Sequence, residues 1–176
     1  MRFEAIDLDG AWLIHPEPAR DERGYFVRTF CVNEFGDHCL ETEFPQHSVS
    51  HSSRKGTVRG MHFQKSPHGE VKLVRCLTGS IFDVIVDLRP ESPTFRQWRG
   101  FELSGDNGLQ LYIPKGFAHG FQTLADDTRV NYLISEFHEP AAASGVRHND
   151  PAFGIRWPLP VTTISEKDLG WPDFTA

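Results

Sequence analysis

Glycine and proline break this chain at such short intervals that only brief segments of regular structure fit between them. That punctuation limits the fold more than any other feature. The 176 residues hold 15 Gly and 12 Pro, and the apolar stretches between them are short. Brief apolar runs bounded by turn residues suit an antiparallel β sandwich or barrel. Val71–Cys76 and Ser80–Leu88 read as strands joined by a tight turn at Leu77–Gly79. In the second run Phe82, Val84 and Val86 alternate with Ile81, Asp83, Ile85 and Asp87. Asp83 therefore shares a face with Ile81 and Ile85 and is expected to point inward with them. Gln97–Leu103 and Leu109–Ile113 read as another pair, turning at Gly105–Gly108, and Thr128–Glu136 as a further strand carrying Tyr132. Asn33–His38 reads as a short helix, and so does Glu139–Ala143, with Pro140 in its first turn.

The length fits one domain covering residues 1–176, with no repeat, low-complexity segment or linker. It is long for a single sandwich, so extra strands near the N-terminus are expected to pair with a partner subunit. Fourteen Phe against two Met favour rigid aromatic packing. A net charge of −6 excludes a general nucleic-acid or acidic-membrane surface, so an anionic ligand needs a local basic pocket. Cys31, Cys39 and Cys76 are odd in number and lack CxxC spacing, so they read as free thiols in a reducing compartment. The start MRFEAIDLDG lacks a basic segment followed by an apolar run, and no stretch is long and apolar enough to span a bilayer. The expectation is a cytoplasmic protein.

One segment carries chemistry. TVRGMHFQ (Thr57–Gln64), followed by EVKLVR (Glu70–Arg75), places Arg59, His62 and Lys72 in one compact β-rich region. A base beside fixed positive charge suits proton abstraction next to a carbonyl, since the base takes the proton and the cation holds the developing enolate oxygen. The alternative is a solvated hairpin edge, where Lys and Arg are common.

RGMHFQ and EVKLVRC resemble two blocks of the dTDP-4-dehydrorhamnose 3,5-epimerase family, within the cupin superfamily. Further blocks follow in order: DERGYF (Asp21–Phe26), FDVIVDLR (Phe82–Arg89), SPT (Ser92–Thr94), IPKGFAHGF (Ile113–Phe121), NDP (Asn149–Pro151), IRWP (Ile155–Pro158) and SEKD (Ser165–Asp168). The resemblance runs from about Asp21 to Asp168. It implies an all-β fold, a cupin-type jelly roll or antiparallel β sandwich with a few short helices, and a homodimer.

The resemblance also implies site residues. His62 is the base, Asp168 orients it and stabilises its protonated form, Lys72 stabilises the enolate at the 4-oxo oxygen, and Tyr132 is the acid on the opposite face of the sugar. An imidazole with an ordinary pKa near ~6.5 and a phenol near ~10 suit those two roles. Arg59 and Arg23 help bind the substrate, Arg23 near the diphosphate, and Phe26 stacks on the base. Gln46 and Ser52 lie in a loop entering the site. From residues alone, Ser165–Asp168 also fits a helix N-terminal capping box, and one carboxylate oxygen cannot serve both roles. Tyr132 also fits ordinary core packing.

PKGFAHGF (Pro114–Phe121) resembles the second cupin motif, which delivers His119 to the barrel interior, where Asp83 can satisfy it. In the first motif His62-Phe-Gln64 lacks the second imidazole of a metal-binding cupin, so no metal or other cofactor is expected. Three positions depart from the family: Arg28 where many relatives have Glu near the nucleobase, Ser48 where Asn is usual, and His138 where Tyr is frequent. The resulting expectation is an enzyme without a cofactor. It epimerises a nucleotide-linked 4-keto-6-deoxy sugar at carbons 3 and 5, turning dTDP-4-dehydro-6-deoxy-D-glucose into dTDP-4-dehydro-L-rhamnose. A single-carbon epimerase, a metal-dependent cupin and a non-catalytic sugar-nucleotide binder remain alternatives.

Overall fold

The computed structural model describes residues 1–175. The strands are β1 (Arg2–Ala5), β2 (Trp12–His15), β3 (Ala19–Asp21), β4 (Gly24–Phe26), β5 (Gln46–Ser52), β6 (Val58–Gln64) and β7 (Lys72–Thr78). They continue with β8 (Ser80–Asp87), β9 (Trp98–Ser104), β10 (Gln110–Ile113), β11 (Phe117–Thr123), β12 (Thr128–Ile134) and β13 (Ala143–Gly145). Two short helices, α1 (Val32–Asp37) and α2 (Glu166–Leu169), complete the chain. The fold is all-β and of the cupin type. A six-stranded sheet, β1-β2-β10-β7-β12-β5, faces a five-stranded sheet, β13-β6-β11-β8-β9, and every pairing within them is antiparallel.

Two expected hairpins do not form. β7 and β8 follow each other in sequence, yet β7 pairs with β10 and β12 while β8 pairs with β11 and β9. Gly79, at φ +75, is the only residue between them, and it turns the chain from one sheet into the other. β9 and β10 likewise lie in opposite sheets. Their connection is knitted by Asn107, whose carboxamide accepts from Ser104 N–H and donates to the Glu102 carbonyl. Glu139–Ala142 is a hydrogen-bonded turn running into β13 rather than a helix. The stretch from Gln46 to Ser52, expected as a loop, is the full length of β5. The N-terminal strands pair inside the chain: β1 with β2, and β2 with β10. β3 and β4 form a separate exposed hairpin.

Alternation builds three apolar layers. Leu13, Val74, Cys76, Ile81, Ile85, Leu111, Phe121 and Val130 fill the space between the sheets. The outer face of the five-stranded sheet presents Met61, Val84, Val86 and Ala118, covered by Phe153, Trp157 and Phe174. The outer face of the six-stranded sheet presents Ile14, Leu73 and Tyr112, covered by Phe35 of α1 with Phe30 and Phe44. With both faces buried, β8 reads as a nearly continuous apolar run. Asp83 shares the inner face with Ile81 and Ile85, as expected, and is fully buried. The three cysteines are free.

Candidate active site

An open cavity of about 600 Å³ is lined by both sheets. The five-stranded sheet contributes Arg59 and His62 from β6 and His119 from β11. The six-stranded sheet contributes Lys72 from β7, Tyr132 from β12, and Ser48 and Ser50 from β5. Thr163–Asp168 close one side.

Strict strand alternation places positions 59 and 62 on opposite faces. The register resolves this. His62 pairs with His119 and Arg59 with Phe121, so three steps on β6 match two on β11. The extra residue is a bulge at Gly60. Gly60 lies at φ +140, and a Cβ there would fall 2.5 Å from the Gly120 Cα. Glycine at both positions lets the two backbones meet, and the bulge turns Arg59 and His62 into the same space.

His62 Nε2 lies 2.7 Å from Asp168 Oδ1. The His62 side chain is 42% exposed to the cavity mouth, whereas that of Asp168 is 6% exposed. The second oxygen, Oδ2, accepts the Gly60 N–H at 3.2 Å. The capping question is thereby answered. Ser165 caps α2 with its own hydroxyl, which accepts the Asp168 N–H, so both carboxylate oxygens are left for β6. Burial works to raise the Asp168 pKa, but the hydrogen bond and charge of His62, with the Gly60 N–H, outweigh it and hold the carboxyl below its usual value. Because an ionised carboxylate only accepts, Nε2 carries the proton and Nδ1 is the nitrogen left to act.

Tyr132 stands on the opposing sheet. Its hydroxyl is 3.1 Å from Ser50 Oγ, and its ring meets His119 edge-on with centroids 6.2 Å apart. Burial pushes its pKa above the ordinary phenol value, and Ser50 offsets only part of that. His119 Nε2 is 2.6 Å from Asp83 Oδ1, with both side chains almost fully buried. His119 thus touches the cavity while tied to the core.

The cations are fixed too. Arg59 donates to Ser52 Oγ and to the His51 carbonyl. Lys72 Nζ pairs with Glu70 Oε1 at 2.9 Å and reaches the His62 carbonyl at 3.5 Å. A second cavity of about 220 Å³ adjoins the first, sharing His62, Lys72 and Lys167, and is also lined by Gln46 and His138. Gln46 accepts the His138 N–H there. Gln64, in place of a second metal-binding imidazole, is consumed by backbone: it donates to the His68 and Phe137 carbonyls and accepts the Glu139 N–H. Among the described residues no group of three or more His, Cys, Asp or Glu side chains is placed to hold a metal ion. No helix among them is long and apolar enough to cross a membrane.

His62, Lys72, Tyr132, Asp168, Arg59 and His119 are therefore gathered around one cavity, with Ser52 and Asp83 behind them and Gln46 beside them. Arg23, Phe26 and Arg28 are not. Arg23 and Phe26 belong to the exposed β3–β4 hairpin, where Arg23 pairs with Asp21 and Phe26 is 78% exposed. Arg28 pairs with Glu34 of α1. Ser50, Thr163, Lys167 and Trp171 are among the lining groups that the sequence did not single out. Ser48, Ser50 and Ser52 recur at period two, which signals a hydroxyl-bearing face once the segment is read as a strand. Trp171 packs against Gly145 and meets the His62 ring edge-on. No local pattern marks it.

The family model described as dTDP-4-dehydrorhamnose 3,5-epimerase matches residues 5–176. A dTDP-4-dehydrorhamnose 3,5-epimerase of Methanothermobacter thermautotrophicus is 48% identical over 174 residues, covering 97% of this chain and 92% of its own. The crystal structure of the Bacillus anthracis enzyme of that name, with TDP and PPi bound, superposes with a TM-score of 0.95 at 42% identity, covering 98% of this chain and 99% of its own. The Legionella pneumophila dTDP-6-deoxy-D-glucose-3,5-epimerase in complex with dTDP-4-keto-L-rhamnose gives a TM-score of 0.90 at 36% identity, covering 99% of each chain. With sequence and fold agreeing along almost the whole length, this chain is an isomerase belonging to the dTDP-4-dehydrorhamnose 3,5-epimerase family.

Proposed function

We propose that the chain, as one domain over residues 1–176, converts dTDP-4-dehydro-6-deoxy-D-glucose to dTDP-4-dehydro-L-rhamnose by inverting carbons 3 and 5 in turn. The observation that carries this reading is the placement of a carboxylate-backed imidazole on one sheet and a half-buried phenol on the other, across a single cavity with a lysine beside them. Inversion needs one group to remove a proton and another to return one from the opposite face. Both carbons flank the 4-oxo group, so a proton at either is acidified. His62 Nδ1 removes it, and Asp168 stabilises the imidazolium that forms. Lys72 holds the enolate oxygen. Tyr132, kept protonated by burial, delivers a proton from the other side. Arg59 helps to bind the substrate. No cofactor takes part.

The homodimer belongs to this reading. Within one chain Arg23, Phe26 and Arg28 stand clear of the cavity, so substrate contacts through them require a second copy to bring its hairpin there. The setting is cytoplasmic sugar-nucleotide synthesis.

Proton NMR of the substrate in heavy water tests the proposal. Exchange at both carbons is expected with the wild-type protein, and none with His62→Ala. Tyr132→Phe is expected to exchange without inverting, and full epimerisation by that variant would sink the acid assignment. Exchange at a single carbon would establish the single-carbon alternative instead.

A further inference from the structure

We infer that Glu70 is the positioning residue that sets where the Lys72 ammonium sits, an inference that rests on the epimerase reading above only for its catalytic consequence. Glu70 and Lys72 are two apart in extended chain, so both side chains leave the same face, toward the cavities. Val71 between them packs into the outer apolar layer. Its N–H donates to Ser135 Oγ, and its carbonyl accepts the Ser135 N–H, which pins the backbone at this point. The base of the pair is therefore rigid.

The heads of the pair are unusual. The Lys72 and Glu70 side chains are 12% and 8% exposed, and Nζ to Oε1 is 2.9 Å. The hydrogen bond that Nζ donates, to the His62 carbonyl, is long at 3.5 Å. A lysine side chain has four rotatable bonds and a point charge that any oxygen can attract. Glu70 is thus the close contact that selects one position for it, on the wall between the two cavities and beside His62. Stability does not account for the arrangement. Glu70 Oε2 is sealed from solvent and has no hydrogen-bond partner among the described residues, and a buried ion pair with an unsatisfied oxygen is poorly repaid by its own attraction. What the pair does supply is a cation at a fixed place, which a developing enolate oxygen requires.

Two readouts test this, one of which needs no epimerase activity. In steady-state turnover of the 4-keto sugar nucleotide, Glu70→Ala should lower kcat by about tenfold or more with KM changed by less than about threefold. Glu70→Gln, which keeps an acceptor oxygen, should fall between the two. In limited acetylation with acetic anhydride followed by mass spectrometry, Lys72 should label severalfold faster in both variants, relative to the exposed Lys115. A kcat for Glu70→Ala within about twofold of wild type, or Lys72 labelling unchanged in either variant, overturns the inference. If Glu70→Ala does not fold, the near-isosteric Glu70→Gln carries both readouts. A wild-type protein inactive on the sugar nucleotide would overturn the epimerase reading instead, and the labelling would still decide whether Glu70 holds Lys72.

Discussion

Asp168→Asn changes one atom in the pair that defines the base, and its effect can be worked from the contacts. Asp168 Oδ1 is 2.7 Å from His62 Nε2, and Oδ2 accepts the Gly60 N–H. The backbone donor has no freedom to turn away, so the amide oxygen of Asn takes the place of Oδ2. The amide NH2 then faces Nε2. That nitrogen must accept, the ring proton moves to Nδ1, and the nitrogen facing the sugar becomes a donor instead of a base. Loss of the charge-assisted bond alone is worth about 1.5–3 kcal/mol, or roughly 10- to 100-fold in rate. The wrong tautomer adds to this, and the comparable Asp-to-Asn change in a serine-protease triad costs about 10⁴. A fall of about 10² to 10⁴ in deuterium wash-in at both carbons is therefore expected, with little change in thermal stability because volume is preserved. Asp168→Ala should be the less damaged in rate, since its imidazole can still choose a tautomer. It should be the less stable protein, by about 1–3 kcal/mol, because the Gly60 N–H is orphaned. Wash-in by Asp168→Asn within about threefold of wild type, or faster than by Asp168→Ala, would refute the reasoning.

Other outcomes follow from the fold. Gly60→Ala meets both a positive φ and the Gly120 backbone, so urea unfolding should show a loss of about 3 kcal/mol or more; a loss under about 1 kcal/mol would contradict the bulge. Ser50→Ala removes the hydroxyl partner of Tyr132 and should lower inversion by less than about tenfold while sparing wash-in; equal losses in both would place Ser50 elsewhere in the reaction. Burial works to raise Asp87, but hydrogen bonds from Arg89, Ser92 and Thr94 outweigh it and hold the carboxyl at about 2. A depressed carboxylate stabilises the fold above its unfolded pKa and ceases to do so as pH falls through the folded one. This site should thus supply about 2 kcal/mol at neutral pH that disappears between about pH 4 and pH 2. Asp87→Asn should flatten that acid limb in urea titrations, and an unchanged limb would remove the site from acid unfolding.

How much could be read beforehand depended on the range of the physics involved. Strand identity is local, and β7, β8, β9, β10 and β12 fell near their expected places because alternation and glycine turns are visible within a few residues. Sheet membership is not local. A one-residue turn at Gly79 looks like a hairpin in sequence, and only the pairing of β7 with β10 and β12, and of β8 with β9 and β11, reveals that the chain has changed sheets. His62 and Lys72 stand out by their place in one β-rich segment, the role of Tyr132 comes from the family resemblance alone, and the inward face of Asp83 from periodicity. The partnership of Asp168 with His62 spans 106 residues and competed with a capping box that was equally well written, until Ser165 proved able to cap alone. Arg59 and His62 share a face only because of the Gly60 bulge, which no alternation rule supplies. Trp171 reaches the site through a coil segment packed on Gly145, with no sequence pattern to mark it.

The crossing of the chain between sheets at Gly79 bears on how activity is acquired. From β5 to β13 the chain changes sheet at every step except β8 to β9, so neither sheet can be completed from a contiguous stretch of chain. The proposed base, His62, arrives on one layer, the proposed acid, Tyr132, and Lys72 on the other, and Asp168, hydrogen-bonded to His62, comes almost last in sequence. Topologies built from such distant pairings form slowly, because loop closure must precede the contacts that reward it. Catalysis is then a late property of folding. In refolding experiments, enzymatic turnover should return with the last structural phase, well after the bulk of the β signal, and a ribosome-bound chain that has not yet released α2 should be folded in part and inactive altogether.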